Sequence, residues 1–114
     1  MSGKALDRDQ IWADFGEAVN MSPAELETWL KTDESEAVGW SKDGGGETVG
    51  HHSGRRIIEI KHKKKAALTD DDYAHMRKVV GYVHRHLAQA GPKEDREGSP
   101  WRHSLMNWGH DPLK

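Results

Sequence analysis

The chain of 114 residues contains no cysteine. That excludes disulfide staples and thiolate metal sites, and it is compatible with a reducing compartment. No run of about 18 apolar residues occurs, so no segment is expected to span a membrane. The first ten residues, MSGKALDRDQ, lack the apolar stretch of a secretory signal. The expected location is therefore cytoplasmic: nucleoid-associated in a bacterial cell, nuclear or cytoplasmic in a eukaryotic one. Phenylalanine occurs once and tyrosine twice, so five tryptophans carry much of the bulk available for a core. Chemical motifs are equally sparse. There is no GxxxxGK[ST] frame, and the Gly44–Gly46 run lies between Asp43 and Glu47, which would repel a phosphate. No nucleophile elbow, Ser–His–Asp order or dinucleotide fingerprint is visible. Eight histidines are present, but they form neither HExxH nor another standard ligand spacing. The reading is non-enzymatic, with no metal and no cofactor.

What is present is charge, unevenly placed. The formal net charge is −2. Residues 1–50 carry 4 Lys/Arg against 11 Asp/Glu, whereas residues 51–114 carry 13 against 8. Such asymmetry bears on partners rather than on fold.

The patterning predicts an all-α single domain of four to five helices, with a long Gly-rich loop between the second and third. Residues 1–8 are expected to be a disordered tail, followed by one helical domain over 9–114. Ile11, Phe15 and Val19, with Trp12 beside them, mark a first helix from about Asp9 to Val19. A second helix has a complete start signal: Ser22 as N-cap, Pro23 at the first position, Glu25 closing a capping box, and Met21 stapled to Leu26. It should stop near Thr32, with Leu26, Trp29 and Leu30 on its buried side. Residues 33–50 read as the long loop, anchored by Val38 and Trp40. The third helix is expected from about His52 to Ala67, buried through Ile57, Ile58 and Ile60. Leu68, Thr69 and Asp72 repeat the staple and capping-box grammar, and Asp70–Asp72 suit the positive end of a helix dipole. The fourth helix carries the apolar stripe Tyr73, Met76, Val80, Val83 and Leu87 and should end near Ala90, before Gly91 and Pro92. The third and fourth helices are expected to pack as a pair, with Gly81 allowing a close crossing. Residues 91–98 read as a polar linker to a short docked helix capped by Ser99 and Pro100, with Trp101, Leu105 and Trp108 on one face.

The segment GRRIIEIKHKKKA is the functional lead. Arg55, Arg56, Lys61, Lys63, Lys64 and Lys65 are opposed there only by Glu59. On a helical wheel Lys61 and Lys64 share the side of Ile57 and Ile60, so the apolar stripe runs out after about two turns. Those lysines either snorkel along the core or belong to a projecting basic helix end suited to phosphates. The plainer reading is a solvated helix end whose lysines complement the dipole. Arg77, Lys78 and Arg85 form a second rank on the fourth helix. Histidines near this surface should gain charge below about pH 6.5. The expected partner is nucleic acid, DNA more than RNA. No aromatic-rich strand is visible, which favours duplex backbone over single strands. About five neutralised phosphates would give a log affinity–log salt slope near −4.5. A protein-interaction or stress-associated module is the alternative, using the acidic second helix or the Trp-rich tail.

WLKTDESEAVGW, GHHSGRRIIEI, LTDDDYAHMRKVVGYVHRHLAQ and WRHSLMNWGHDPLK cover most of the chain from about Phe15 onward. Together they resemble a family of small bacterial and fungal proteins of unknown function, some members of which are labelled DNA-binding. NWGHDPLK and HMRKVV…RHLAQ are the most specific blocks. The resemblance implies no catalytic residue and adds some weight to DNA as the partner.

Overall fold

The structure is a computed structural model, and it describes residues 8–37, 48–89 and 96–114. Among them there are six α-helices and no strand: α1 Arg8–Ala18, α2 Pro23–Leu30, α3 Asp33–Ala37, α4 Val49–His62, α5 Asp70–Ala88 and α6 Pro100–Asn107. One 3-10 turn, Lys65–Ala67, links α4 to α5. The class is all-α, with one helix more than expected. The tail 1–7, the loop residues 38–47 and linker residues 90–95 lie outside the described residues. Arg8 does not belong to a tail; it opens α1 and pairs with Asp70.

Local start signals place the helices. Ser22 Oγ accepts from the Glu25 amide at 3.1 Å, and Glu25 Oε1 accepts from the Ser22 amide at 2.8 Å. Thr69 and Asp72 form the same reciprocal box at 3.1 and 3.0 Å. Ser99 Oγ accepts from the Arg102 amide, with Pro100 at the first helical position. Each box satisfies amide groups that a helix start otherwise leaves without partners.

Two expectations about extent fail. Residues 33–37 are helical rather than loop: Thr32 accepts from the Ser35 amide, and α3 follows within three residues of the end of α2. The third expected helix is displaced toward the N-terminus. Thr48 caps α4 through the His51 amide, and Lys63 leaves the helix with extended backbone (φ −88°, ψ 150°). Residues 63–69 are needed to reverse the chain into α5.

The core joins all the long helices. Phe15, Leu26, Ile57, Ile60, Tyr73, Met76, Val79, Val83, Leu105 and Trp108 are buried in one cluster. Complete burial of each large side chain contributes roughly 1.5–3 kcal/mol. α5 packs chiefly on α1 and α4 chiefly on α2, while α4 and α5 touch only lightly. The expected α4–α5 pair is thus corrected, and so is the role of Gly81. A Cβ there would meet only the far end of Arg85, at 3.1 Å, so no helix crosses closely. The close approach lies at Gly54, where a Cβ would sit 2.7 Å from the Asn107 carbonyl oxygen and 2.8 Å from Leu30. Gly54 lets α4 press onto α6.

The block NWGHDPLK forms a clasp. Buried Asn107 accepts from Trp29 Nε1 at 2.7 Å and Ser35 Oγ at 2.5 Å, and it donates to the Ser35 carbonyl at 3.0 Å. Gly109, at φ +81°, takes the left-handed backbone that ends α6, and its carbonyl accepts from the Met21 amide. His110 Nδ1 donates to the Ala18 carbonyl at 2.7 Å, and Asn20 exchanges two bonds with the Asp111 backbone. Arg102 holds the Asp111 carboxylate through two bonds, at 3.0 and 2.9 Å. Trp108 is buried, and Trp101 Nε1 donates to the His86 carbonyl. The tail tryptophans are therefore core and bracing elements, not a free surface.

Candidate nucleic-acid interface

The nine basic residues singled out in the sequence fall into separate places. The α4–α5 turn gathers three of them around acids. Asp72 has a buried side chain, 1% exposed, yet it accepts from Arg56 Nη1 and Lys63 Nζ, each at 2.7 Å, and from the Thr69 amide. Burial alone would push this carboxyl up. The bonds from Lys63, the Thr69 amide and Arg56 overcome that and hold it well below the usual carboxylate range. Arg56 also reaches Glu59, at 3.6 Å. Lys65 pairs with exposed Asp9 at 2.8 Å and lies over the Trp12 ring. Arg56, Lys63 and Lys65 are thus largely neutralised within the chain, so the segment is not a projecting basic helix.

Lys61 behaves differently. It stays on α4 beside the core, half-buried, with its ammonium 5.8 Å from the Phe15 ring centroid. Burial pushes its proton affinity down. Lys64, freed from the helix by the turn, is exposed. Arg55 is exposed on the outer side of α4, beside a cleft of about 350 Å³ shared with Glu27, Lys31, His51 and Glu59.

The second rank divides as well. Arg77 and Lys78 are exposed neighbours on α5 and diverge by about 100°. Lys78 lies three residues from His75 on α5, and its charge and that of Arg56 act on that ring. His75 is half-buried, stacked on Trp108, with Nε2 2.9 Å from buried Ser53 Oγ. Burial first, then the charges of Arg56, Lys78 and His52, lower its pKa to about 4. His86 is lowered by burial too. The expectation that histidines here gain charge below about pH 6.5 therefore fails for both, because their surroundings disfavour the proton. Arg85 sits about two turns further along α5, within electrostatic reach of Tyr82. Lys78 and Arg85 thus form a short positive strip on α5, next to an α4–α5 seam in which Arg56 is paired with Asp72 and His75 is held neutral.

Sequence reasoning missed the Ser53–His75 contact across this seam. The spacing of Ser53 and His75 carries no signal, because they meet only once α4 and α5 are in place. Ser53 is buried, so the Ser53–His75 contact offers no accessible nucleophile. Among the described residues no group of three or more His, Cys, Asp or Glu could hold a metal ion, and no helix is long and apolar enough to cross a membrane.

The profile of a family described as protein of unknown function, DUF3140, matches residues 14–106. The chain belongs to that family. The match runs from within α1 to the next-to-last residue of α6, so it covers α4 and α5 and stops just short of the NWGHDPLK clasp. No curated protein and no solved structure matches the chain.

Proposed function

We propose that this DUF3140 protein binds nucleic acid without catalysis, duplex DNA in preference to RNA, through phosphate contacts along the α4–α5 seam. The observation that carries the reading is the placement of two exposed cations, Lys78 and Arg85, seven residues apart and so on one side of α5. Lys78 and Arg85 are the principal contacts, because both are exposed on the same side of α5. Lys64 is a third, at the adjoining turn. Arg55 and Arg77 lie on other flanks and contribute to steering rather than to one continuous footprint. Arg56, Lys61, Lys63 and Lys65 are not phosphate contacts in this reading, because three are held by carboxylates and Lys61 is half-buried in a groove beside Phe15. The likeness to small proteins labelled DNA-binding points the same way.

About three phosphates then replace the five expected from sequence, and the slope of log affinity against log salt becomes about −2.7. Fluorescence anisotropy of a labelled duplex across a salt series measures it. Charge reversal at both positions, Lys78→Glu with Arg85→Glu, should abolish binding while leaving thermal stability within about 0.5 kcal/mol, as expected for exposed sites. A slope near zero, or undiminished binding by the double variant, overturns the proposal.

A further inference from the structure

A groove of about 240 Å³ separates α1 from the end of α4 and the turn that follows. Trp12, Phe15 and Gly16 form one wall, Ile60, Lys61, Lys63 and Lys65 the other, with Leu68 and Met76 also lining it. The groove is not sealed by its own side chains. Trp12 is 47% exposed, and a Cβ at Gly16 would meet nothing within 4 Å. Its size falls below the range of about 300–1,000 Å³ typical for drug-sized ligands. The space suits a small molecule and is too small for a membrane lipid.

Charge decides which small molecule. Lys65 is balanced by Asp9, and Lys63 and Arg56 are balanced by Asp72 and Glu59. Among the described residues no acid pairs with Lys61, whose recorded contact is the Phe15 ring. One half-buried ammonium therefore remains uncompensated at the edge of an aromatic groove. A lysine in that position is penalised by desolvation unless an anion supplies the missing partner.

We propose that this groove binds a small amphiphilic monoanion, with its apolar body against Trp12 and Phe15 and its single oxyanion head on the Lys61 ammonium. A dianion would meet only one uncompensated charge, and a bare inorganic ion would leave the aromatic wall wet. The site lies apart from the Lys78–Arg85 seam, so this inference stands independently of nucleic-acid binding. Burial lowers the proton affinity of Lys61, and a bound oxyanion head would raise it again.

Isothermal titration calorimetry on the full chain, with octanoate as probe, tests the assignment. One octanoate should bind per chain. Octanol, which lacks the charge, and inorganic phosphate, which lacks the body, should each bind about tenfold more weakly or worse. Lys61→Met should weaken octanoate by a similar factor while leaving the thermal midpoint unchanged or higher, and Lys61→Arg should restore much of the affinity. Lys61→Met should also leave duplex binding intact. Equal binding of octanoate and octanol, unsaturable uptake, or full affinity in Lys61→Met overturns the proposal.

Discussion

Two regions of this protein take polar groups out of water, and they do so in opposite ways. Around Asn107 every buried group is matched: the indole of Trp29, the hydroxyl and carbonyl of Ser35, and both ends of the amide itself. Beside Phe15 the ammonium of Lys61 is half-buried with no acid opposite it among the described residues. A matched network contributes specificity and stability, and its groups have nothing left to offer a ligand. An unmatched charge does the reverse. It weakens the fold slightly and holds a binding capacity in reserve.

The sharpest way to break this comparison is to truncate both residues. Asn107→Ala strands an indole N–H, a hydroxyl and a carbonyl in a dry site, and it should destabilise by about 3 kcal/mol. Lys61→Met removes an unpaired charge, keeps the stem volume, and should be neutral or stabilising by less than about 1 kcal/mol. Urea denaturation midpoints measured side by side check both. Equal losses would show that Lys61 has a structural partner and that the contrast is false.

The contrast also explains what could be read in advance. The capping boxes at Ser22–Glu25 and Thr69–Asp72 were legible because both partners lie within three residues. The failing apolar stripe at Lys61 was legible for the same reason, since a helical wheel is local. Asn107 was not, because its partners are 78 and 72 residues away. Asp72 was read as a cap and dipole residue, which it is. That it also gathers Arg56 and Lys63 needed the chain reversal at residues 63–69, which periodicity does not encode. The basic segment was consequently read as more available than it is. Short-range grammar placed the helices, whereas the division of cations between internal pairs and free surface depended on which helices came to lie together. Gly54 shows the same limit: its need for smallness comes from Asn107 and Leu30, both remote in sequence.

A second prediction concerns His75, which belongs to neither extreme: it is bonded to Ser53 but hemmed in by positive charge. Its folded pKa, about 4, lies below the ordinary histidine value of 6.5. Between these values the unfolded chain binds a proton that the folded chain refuses. The neutral form's stabilising contribution is thus complete above about pH 6.5 and is lost as pH falls toward 4. Allowing for solvent screening at this half-exposed ring, the loss should be about 1–2 kcal/mol. Thermal midpoints should fall over that interval, and His75→Gln should flatten the profile. An unchanged profile in the variant would assign the acid sensitivity elsewhere.

The smallest expected effect is the cleanest test of the packing itself. Gly81 lies inside α5, where glycine is less favourable than alanine by about 1 kcal/mol through backbone entropy and solvation. Such a residue is retained either because a neighbour needs the space or because nothing selects against it. At Gly54 the neighbour is the Asn107 backbone, which cannot move without disturbing the matched network. At Gly81 the neighbour is the guanidinium of Arg85, at the end of a flexible side chain that swings aside easily. Gly81→Ala should therefore stabilise by about 0.5–1 kcal/mol, read as a raised urea midpoint at unchanged slope. Arg85 would be moved only slightly, so duplex binding along the seam should hold. If Gly81→Ala destabilises instead, α5 is approached more closely than the packing of α1 and α4 implies. The positive strip would then be partly covered, and the seam would lose its standing as the open face.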